Sequence, residues 1–300
     1  MRVVVFGAGA MSCLFGARLA GVAQVTLVDL WAEGIATIRE RGIRIDDSQD
    51  SRTVRVEAAL LGSSSIVADL AIILVKAWQT AQVAQHLSAY LSPGSVAISL
   101  QNGLGNLDLL GPRAFPGATA EGATLLGPGH VRACGTGQTQ IVAPEWVVDL
   151  LQNAGFETRR CSPGEAESLL WGKLSVSCGI NALTALLGIP NGELLKTPDA
   201  KELMIQAARE CAAVARARGI GLPFADPANH VVEVAARTAE NKSSMLQDML
   251  RGAPTECDAI NGAVAGEGKR CGVAVPVNEI LWRLVRAAVQ KTRSDVKSCV

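Results

Sequence analysis

"RVVVFGAGAMSCLFGARLAG", residues 2–21, decides the fold. Residues 2–6 are a short β-branched and aromatic run. Gly7-Ala8-Gly9-Ala10-Met11-Ser12 comes next, and an apolar helical pattern follows. The next strand-like run, "QVTLVD", ends at Asp29. Strand, glycine turn, helix and strand open a βαβ unit. The first glycine permits the tight turn. The second lets a pyrophosphate approach backbone N–H groups at the positive end of the helix. Other GxG triplets occur at 103–105, 127–129, 135–137, 219–221 and 266–268. Only the first lies between a strand and a helix with an acid about twenty residues on. Dinucleotide binding is therefore expected at Gly7, Ala8, Gly9, Ala10 and Met11. Ser12 stands where the fingerprint has its third glycine, a packing position that a small residue satisfies. Asp29 ends the second strand, where its carboxylate can accept from the adenosine ribose hydroxyls. It would repel a 2′-phosphate, so taken alone it favours NAD(H). The other reading of Asp29 is a capping or turn aspartate.

Two more apolar runs end in polar residues. "LAIILVKAWQT" runs into Lys76, and "SVAISLQNGLGN" runs into Asn102 and Gly103. Apolar strands of this kind are typical of parallel sheets covered on both faces. Ligands bind outside the carboxyl ends of such strands, so Lys76 and Asn102 are expected at the same crevice as the glycine loop. The stretch 115–145, rich in glycine and threonine, is expected to complete the sheet, and 144–156 to form a helix.

From about residue 165 the strand pattern gives way to long helical ones. Helices are expected over 199–219, 226–240, 243–251, 255–269 and 277–293. The fold class is thus α/β then all-α: an N-terminal Rossmann-type parallel sheet, residues 1–164, and a C-terminal helical substrate domain, residues 165–300. In the second half "ESLLWGKLSVSCGINALTALLGIPNGELL" (167–195) carries Lys173, Ser177 and Asn181 at four-residue steps along an apolar helix. Spacing leaves two readings of Lys173 open. One is a snorkelling lysine whose head reaches water. The other is a desolvated ammonium with a lowered pKa that gives up a proton during a reaction. Ser243-Ser244 reads as a helix N-cap, and Glu256 as a first-turn acid.

Composition bounds the function. Lysine plus arginine (28) equals aspartate plus glutamate (28), so no basic excess points to nucleic acid or an anionic membrane surface. The longest apolar span, near 174–189, falls short of the ~20 residues that cross a bilayer. The eight cysteines are scattered without a CxxC pair, and the three histidines stand far apart, so no metal site is expected. They read as reduced thiols of a cytoplasmic protein, since the N-terminus shows no signal-peptide pattern. The only tyrosine, Tyr90, is followed four residues later by Gly94, so no YxxxK pair of a short-chain reductase exists. No GxSxG nucleophile elbow occurs.

Six stretches carry a family resemblance: "GAGAM" (7–11), "VKAWQT" (75–80), "QNGLGN" (101–106), "WGKLSVSCGINALTAL" (171–186), "PNGEL" (190–194) and "SSMLQDMLRGAPTECDAINGAV" (243–264). Through them nearly the whole chain resembles the ketopantoate reductase (2-dehydropantoate 2-reductase) family. The resemblance implies NADP(H)-dependent reduction of ketopantoate to (R)-pantoate in pantothenate and coenzyme A biosynthesis, with a small 2-keto acid as the partner molecule. It implies that Lys173 is the general acid and that Glu256 holds the lysine and the new hydroxyl. Asn181, Asn191 and Ser244, with Ser177 and Asn102, match substrate-side positions. Lys76 and Asn102 match the nicotinamide side. A homodimer stays open. The family usually has asparagine at the position of Ser177, and its NADPH users often place a basic residue where this chain has "VDLWAEG". An NAD-dependent 2-hydroxy acid dehydrogenase for another branched acid is the alternative, and a nucleotide-sensing protein without chemistry is the third reading.

Overall fold

The computed structural model describes residues 1–47, 50–63 and 66–298, leaving Cys299 outside. Its strands are β1 (Arg2–Phe6), β2 (Gln24–Asp29), β3 (Ile43–Asp46), β4 (Ser51–Val54), β5 (Glu57–Leu60), β6 (Ala68–Ile73), β7 (Leu91–Ser99), β8 (Ala114–Thr119), β9 (Gly122–Gly127), β10 (His130–Gly135), β11 (Thr139–Ile141) and β12 (Thr158–Arg160). Its helices are α1 (Ala10–Leu19), α2 (Ala32–Arg41), α3 (Thr80–Leu87), α4 (Asn106–Leu110), α5 (Glu145–Asn153), α6 (Pro163–Leu187), α7 (Pro198–Ala217), α8 (Pro227–Arg237), α9 (Ser244–Leu250), α10 (Asn261–Cys271) and α11 (Pro276–Ser298).

Contacts divide the chain into two compact units. Met1–Gln101 and Asn106–Ala166 form the first; Asn102–Gly105 and the residues from Glu167 onward form the second. The first unit is built on an eight-stranded sheet of order β12-β11-β8-β7-β6-β1-β2-β5. Strands β8 through β5 in that order run parallel, with Val3 opposite both Val25 and Leu70. Alternate residues of β1 go to opposite faces, as the strand period of two requires. Val3 and Val5 join Phe15 of α1 and Ile38 of α2 in one core, while Val4 and Phe6 join Val83 and Leu87 of α3 in another. The chain leaves β1 in one direction to build β2 and β5, then returns to the other side with β6. This reversal is the switch point at which doubly wound sheets bind their ligands.

The stretch 115–145 departs from expectation. Only β8 and β11 join the large sheet, β11 antiparallel to β8. Strands β9 and β10 pair instead with β3 and β4 in a separate sheet of order β4-β3-β10-β9. The parallel register of His130–Arg132 on Arg44–Asp46 buries Val131 beside Ile43 and Ile45, so side-chain burial selects this partner.

Helix α6 runs 25 residues, all but its first four in the second unit. That exceeds the sequence expectation: the helix is long and apolar enough to cross a membrane by length and composition alone, yet 61% of its apolar window is buried inside the structure. Trp171, Leu174, Cys178, Ala182 and Leu183 of α6 pack with Met204, Cys211 and Val214 of α7 and with Val231 of α8. It is the central helix of a core, which composition cannot tell from a spanning one. The helix expected over 255–269 begins only at Asn261. Residues 256–260 are turns, with the N–H groups of Ala259 and Ile260 both donating to the Glu256 carbonyl.

The segment Asn102–Gly105, which the sequence reading placed in the first domain, packs with the second unit. The Leu104 N–H donates to the Ala259 carbonyl at 2.9 Å. Gly103 has φ +79°, and a Cβ there would lie 2.5 Å from the same oxygen. Only glycine fits that approach.

Candidate active site

The glycine loop stands where β1 ends. Gly7 has φ +126°, and an added Cβ would meet Ser12 Oγ at 2.2 Å and the Leu74 carbonyl carbon at 3.3 Å. Ser12, fully buried, sits directly against it. Around the Cβ position of Gly9 nothing lies within 4 Å. Gly9 is the N-cap of α1, no side chain caps it, and the first turn holds no acid. Open space over uncapped N–H groups suits a pyrophosphate, so these residues fit a dinucleotide. Gly16, which the sequence reading passed over, provides the close helix–strand contact: a Cβ there would lie 2.6 Å from Leu27 Cδ1.

Asp29 is buried and heavily used. Its Oδ2 accepts from the Ala8 N–H at 2.6 Å, which removes that N–H from phosphate binding. Its Oδ1 accepts from the N–H groups of Leu30 (2.6 Å) and Trp31 (3.2 Å) and from Gln79 Nε2 (3.1 Å). A carboxylate offers about four lone-pair directions, so one on Oδ2 is left for a ribose hydroxyl. Both sequence readings of Asp29, turn residue and ribose acceptor, are therefore compatible in one side chain.

Lys76, half-buried, opens a short helical turn whose last residue is Gln79. The Lys76 N–H donates to Gln79 Oε1 at 3.2 Å. On the far side of this turn Gln101 Nε2 donates to the Val75 carbonyl (2.9 Å) and to Thr80 Oγ1 (2.7 Å), and Thr80 passes its own proton to Asn106 Oδ1 (2.9 Å). Gln79, Thr80, Gln101 and Asn106 are all buried. A polar belt thus lines the carboxyl ends of the central strands. Sequence reasoning missed it, although the signal was there: an amide or hydroxyl at each end of otherwise apolar runs.

In the second unit Lys173, Ser177 and Asn181 are all half-buried, and no residue from 171 to 185 is exposed. Burial pushes the Lys173 ammonium below its ordinary pKa, while the Glu256 carboxylate pulls it back up. That combination favours the desolvated reading of Lys173 over the snorkelling one. Glu256 is 5% exposed and lies in the turns before α10, not in a helix's first turn as expected. A charge so buried is tolerated only beside a partner.

Ser243 caps α9, its Oγ accepting from the Leu246 N–H at 3.1 Å and from Thr184 Oγ1 at 2.7 Å. The single Thr184 proton has two further acceptors in range on α6, the Ile180 carbonyl at 2.8 Å and the Asn181 carbonyl at 3.1 Å. The cap therefore ties the start of α9, and with it half-buried Ser244, to the Asn181 turn of α6. Asn191 donates through Nδ2 to Thr238 Oγ1 at 2.9 Å. The Thr238 proton is spent on the Val234 carbonyl at 2.7 Å, which fixes the orientation of the Asn191 amide. Asn191 Oδ1 is then buried and, among the described residues, accepts no hydrogen bond. Asn102 is half-buried in the turn beside Gly103, within the second unit.

Residues 3–146 match the model of the ketopantoate reductase PanE/ApbA family, and residues 165–290 match the model of its C-terminal part. A 2-dehydropantoate 2-reductase of Halobacterium salinarum is 36% identical, over 96% of this chain and 99% of that protein. The chain belongs to the ketopantoate reductase family. A second relative, the 2-dehydropantoate 2-reductase of Archaeoglobus fulgidus, is 33% identical over 95% of this chain and 97% of its own length. Among solved structures, a PanE/ApbA family ketopantoate reductase from Ralstonia eutropha superposes with a TM-score of 0.89 at 31% identity, covering 98% of this chain and all of that one. D-mandelate dehydrogenase with NADH and anilino(oxo)acetate superposes with a TM-score of 0.90 at 27% identity, covering 97% and 99%. The family accounts for the Rossmann-like first unit and the helical second one, and makes the chain a nicotinamide-dependent oxidoreductase.

Proposed function

We propose that this protein reduces 2-dehydropantoate to (R)-pantoate, with Lys173 as the general acid. The observation that carries the reading is the Lys173–Glu256 pair: a lysine on an α6 stretch with no exposed residue, its pKa lowered by burial and raised in part by a buried carboxylate. When bound, a nicotinamide cofactor would supply the hydride for C2 of the keto acid. The carbonyl π pair moves to oxygen, and Lys173 Nζ gives that oxygen its proton, so negative charge never accumulates there. Glu256 stabilises the charged lysine beforehand and accepts from the new hydroxyl. Gly7, Gly9, Ala10 and Met11 form the pyrophosphate cradle, whose shape Ala8 fixes through its N–H bond to Asp29; Asp29 takes a ribose hydroxyl, and Lys76 and Asn102 serve the nicotinamide side. Ser177, Asn181, Asn191 and Ser244 hold the acid. The lone acceptor of Asn191 supports a substrate that bears a hydroxyl of its own, as 2-dehydropantoate does, because a ligand O–H would relieve a buried unsatisfied oxygen.

A second reading, an NAD-dependent 2-hydroxy acid dehydrogenase for another branched acid, draws on Asp29, on the serine at 177 and on the likeness to D-mandelate dehydrogenase with NADH. Steady-state kinetics with 2-dehydropantoate and 2-ketoisovalerate, each with NADPH and NADH, separates the readings. Highest kcat/KM on 2-dehydropantoate is expected. A clear preference for the unhydroxylated acid would move the assignment to the second reading, and no turnover of either would remove both.

A further inference from the structure

Gln79 joins three strand ends that its position in the chain does not predict. Its Nε2 donates to Asp29 Oδ1 across fifty residues of sequence, and its Oε1 accepts from the Lys76 N–H. Asp29 in turn holds the Ala8 N–H of the glycine loop. The hydrogen-bond chain therefore runs from the end of β1 through the end of β2 to the turn after β6. We propose that Gln79 is a positioning residue for the cofactor, coupling the Lys76 turn to the Asp29–glycine-loop edge so that the groups flanking the nucleotide move as one. The proposal rests on the reading that this edge binds the nicotinamide cofactor.

The turn 76–79 is held from two sides by buried amides. Gln101 anchors it toward β7 through the Val75 carbonyl and Thr80, and Gln79 anchors it toward β2. Glutamine suits the second task because one side chain offers a donor and an acceptor at a fixed separation. Asp29 keeps its own short bonds to Ala8 and Leu30 without Gln79, so the carboxylate stays in place when Gln79 is altered. What is lost is the tie that sets Lys76 against it.

The test measures the Kd of NADH and NADPH by nicotinamide fluorescence, together with kcat at saturating cofactor and Tm. It uses the wild type, Gln79→Met, Gln79→Glu and Lys76→Ala. Methionine keeps the length and removes both hydrogen bonds. Glutamate keeps the acceptor for the Lys76 N–H and sets a second carboxylate against Asp29. Gln79→Met should raise Kd about tenfold for both cofactors, roughly the worth of one to two buried hydrogen bonds, and leave saturated kcat within about twofold. Gln79→Glu should raise it further, because like charges meet without intervening solvent. A folded Gln79→Met with wild-type Kd overturns the proposal, and if that variant does not fold, a wild-type Kd in Gln79→Glu does the same. When Lys76→Ala weakens binding and the Gln79 variants do not, the positioning role alone falls. When the wild type binds neither cofactor, or Lys76→Ala is also without effect, the assignment of this edge falls with it.

Discussion

Replacing Gly7 with alanine tests the glycine loop most directly, because the structure separates the penalty into two parts. Gly7 has φ +126°, a region where an L-residue costs about 1–3 kcal/mol. The new Cβ would also lie 2.2 Å from Ser12 Oγ, well inside contact distance. Ser12 is fully buried in α1 and cannot swing away freely, so the overlap adds roughly 1–2 kcal/mol, as overpacking does. Gly7→Ala should therefore destabilise by about 2–5 kcal/mol in all. Ser12→Ala removes the overlapping oxygen and leaves the Ser12 Cβ contact at 3.2 Å, which is tight but tolerable. Among the described residues Ser12 Oγ makes no hydrogen bond, so Ser12→Ala alone should be neutral or stabilising, by up to about 1 kcal/mol. The double variant should recover the clash and keep the backbone penalty. Urea denaturation of the four proteins gives the cycle, and cofactor titration gives the functional readout, with Gly7→Ala weakened at least about tenfold. Gly7→Ala with unchanged stability, or a cycle with no coupling between the two sites, would refute the account of why this loop needs its first glycine.

Lys173→Ala should lower kcat by about 10²–10⁴ while cofactor Kd stays within about twofold, and undiminished turnover in a steady-state assay would remove the acid assignment. Glu256→Gln should move the high-pH limb of the kcat profile to lower pH. Lys173 must be protonated to act, activity is lost as pH rises through its pKa, and Glu256 is what holds that pKa up against burial. A limb that stays put or moves to higher pH would mean that the two groups do not act together. Asn191→Ala should reduce kcat/KM on 2-dehydropantoate about 5- to 150-fold more than on 2-ketoisovalerate, the range expected when one buried hydrogen bond is lost. Equal losses on both acids would deny Asn191 the hydroxyl.

The order of fold elements was legible because it rests on local signals. The β-branched run at 2–6, the glycine turn and the apolar helix after it are read within thirty residues, and the change of period near 165 is plain. The departures come from non-local choices. Strand β10 could have extended the large sheet, but its register with β3 buries Val131 beside Ile43 and Ile45, a pairing no local window contains. The helix pattern over 255–269 is real as a period, yet its first residues turn instead, with Glu256 buried near Lys173. For Lys173, spacing alone left two roles open, since the deciding carboxylate belongs to a distant part of the chain. The glycine loop and Lys76 were visible as motif residues. Gln79 was not, because a glutamine looks the same in a window whether it is solvated or bonded to another strand.

The excursion at 102–105 has a consequence for anyone dividing the gene. A fragment starting at Glu167 would carry α7 to α11 and α6 without its first turn, but not Leu104, whose N–H satisfies the Ala259 carbonyl, nor Gly103, which lets the two backbones touch. The complementary fragment would retain that tetrapeptide with nothing to dock on. The helical half thus includes a piece encoded far upstream of it, and a single cut at Glu167 does not keep that contact intact.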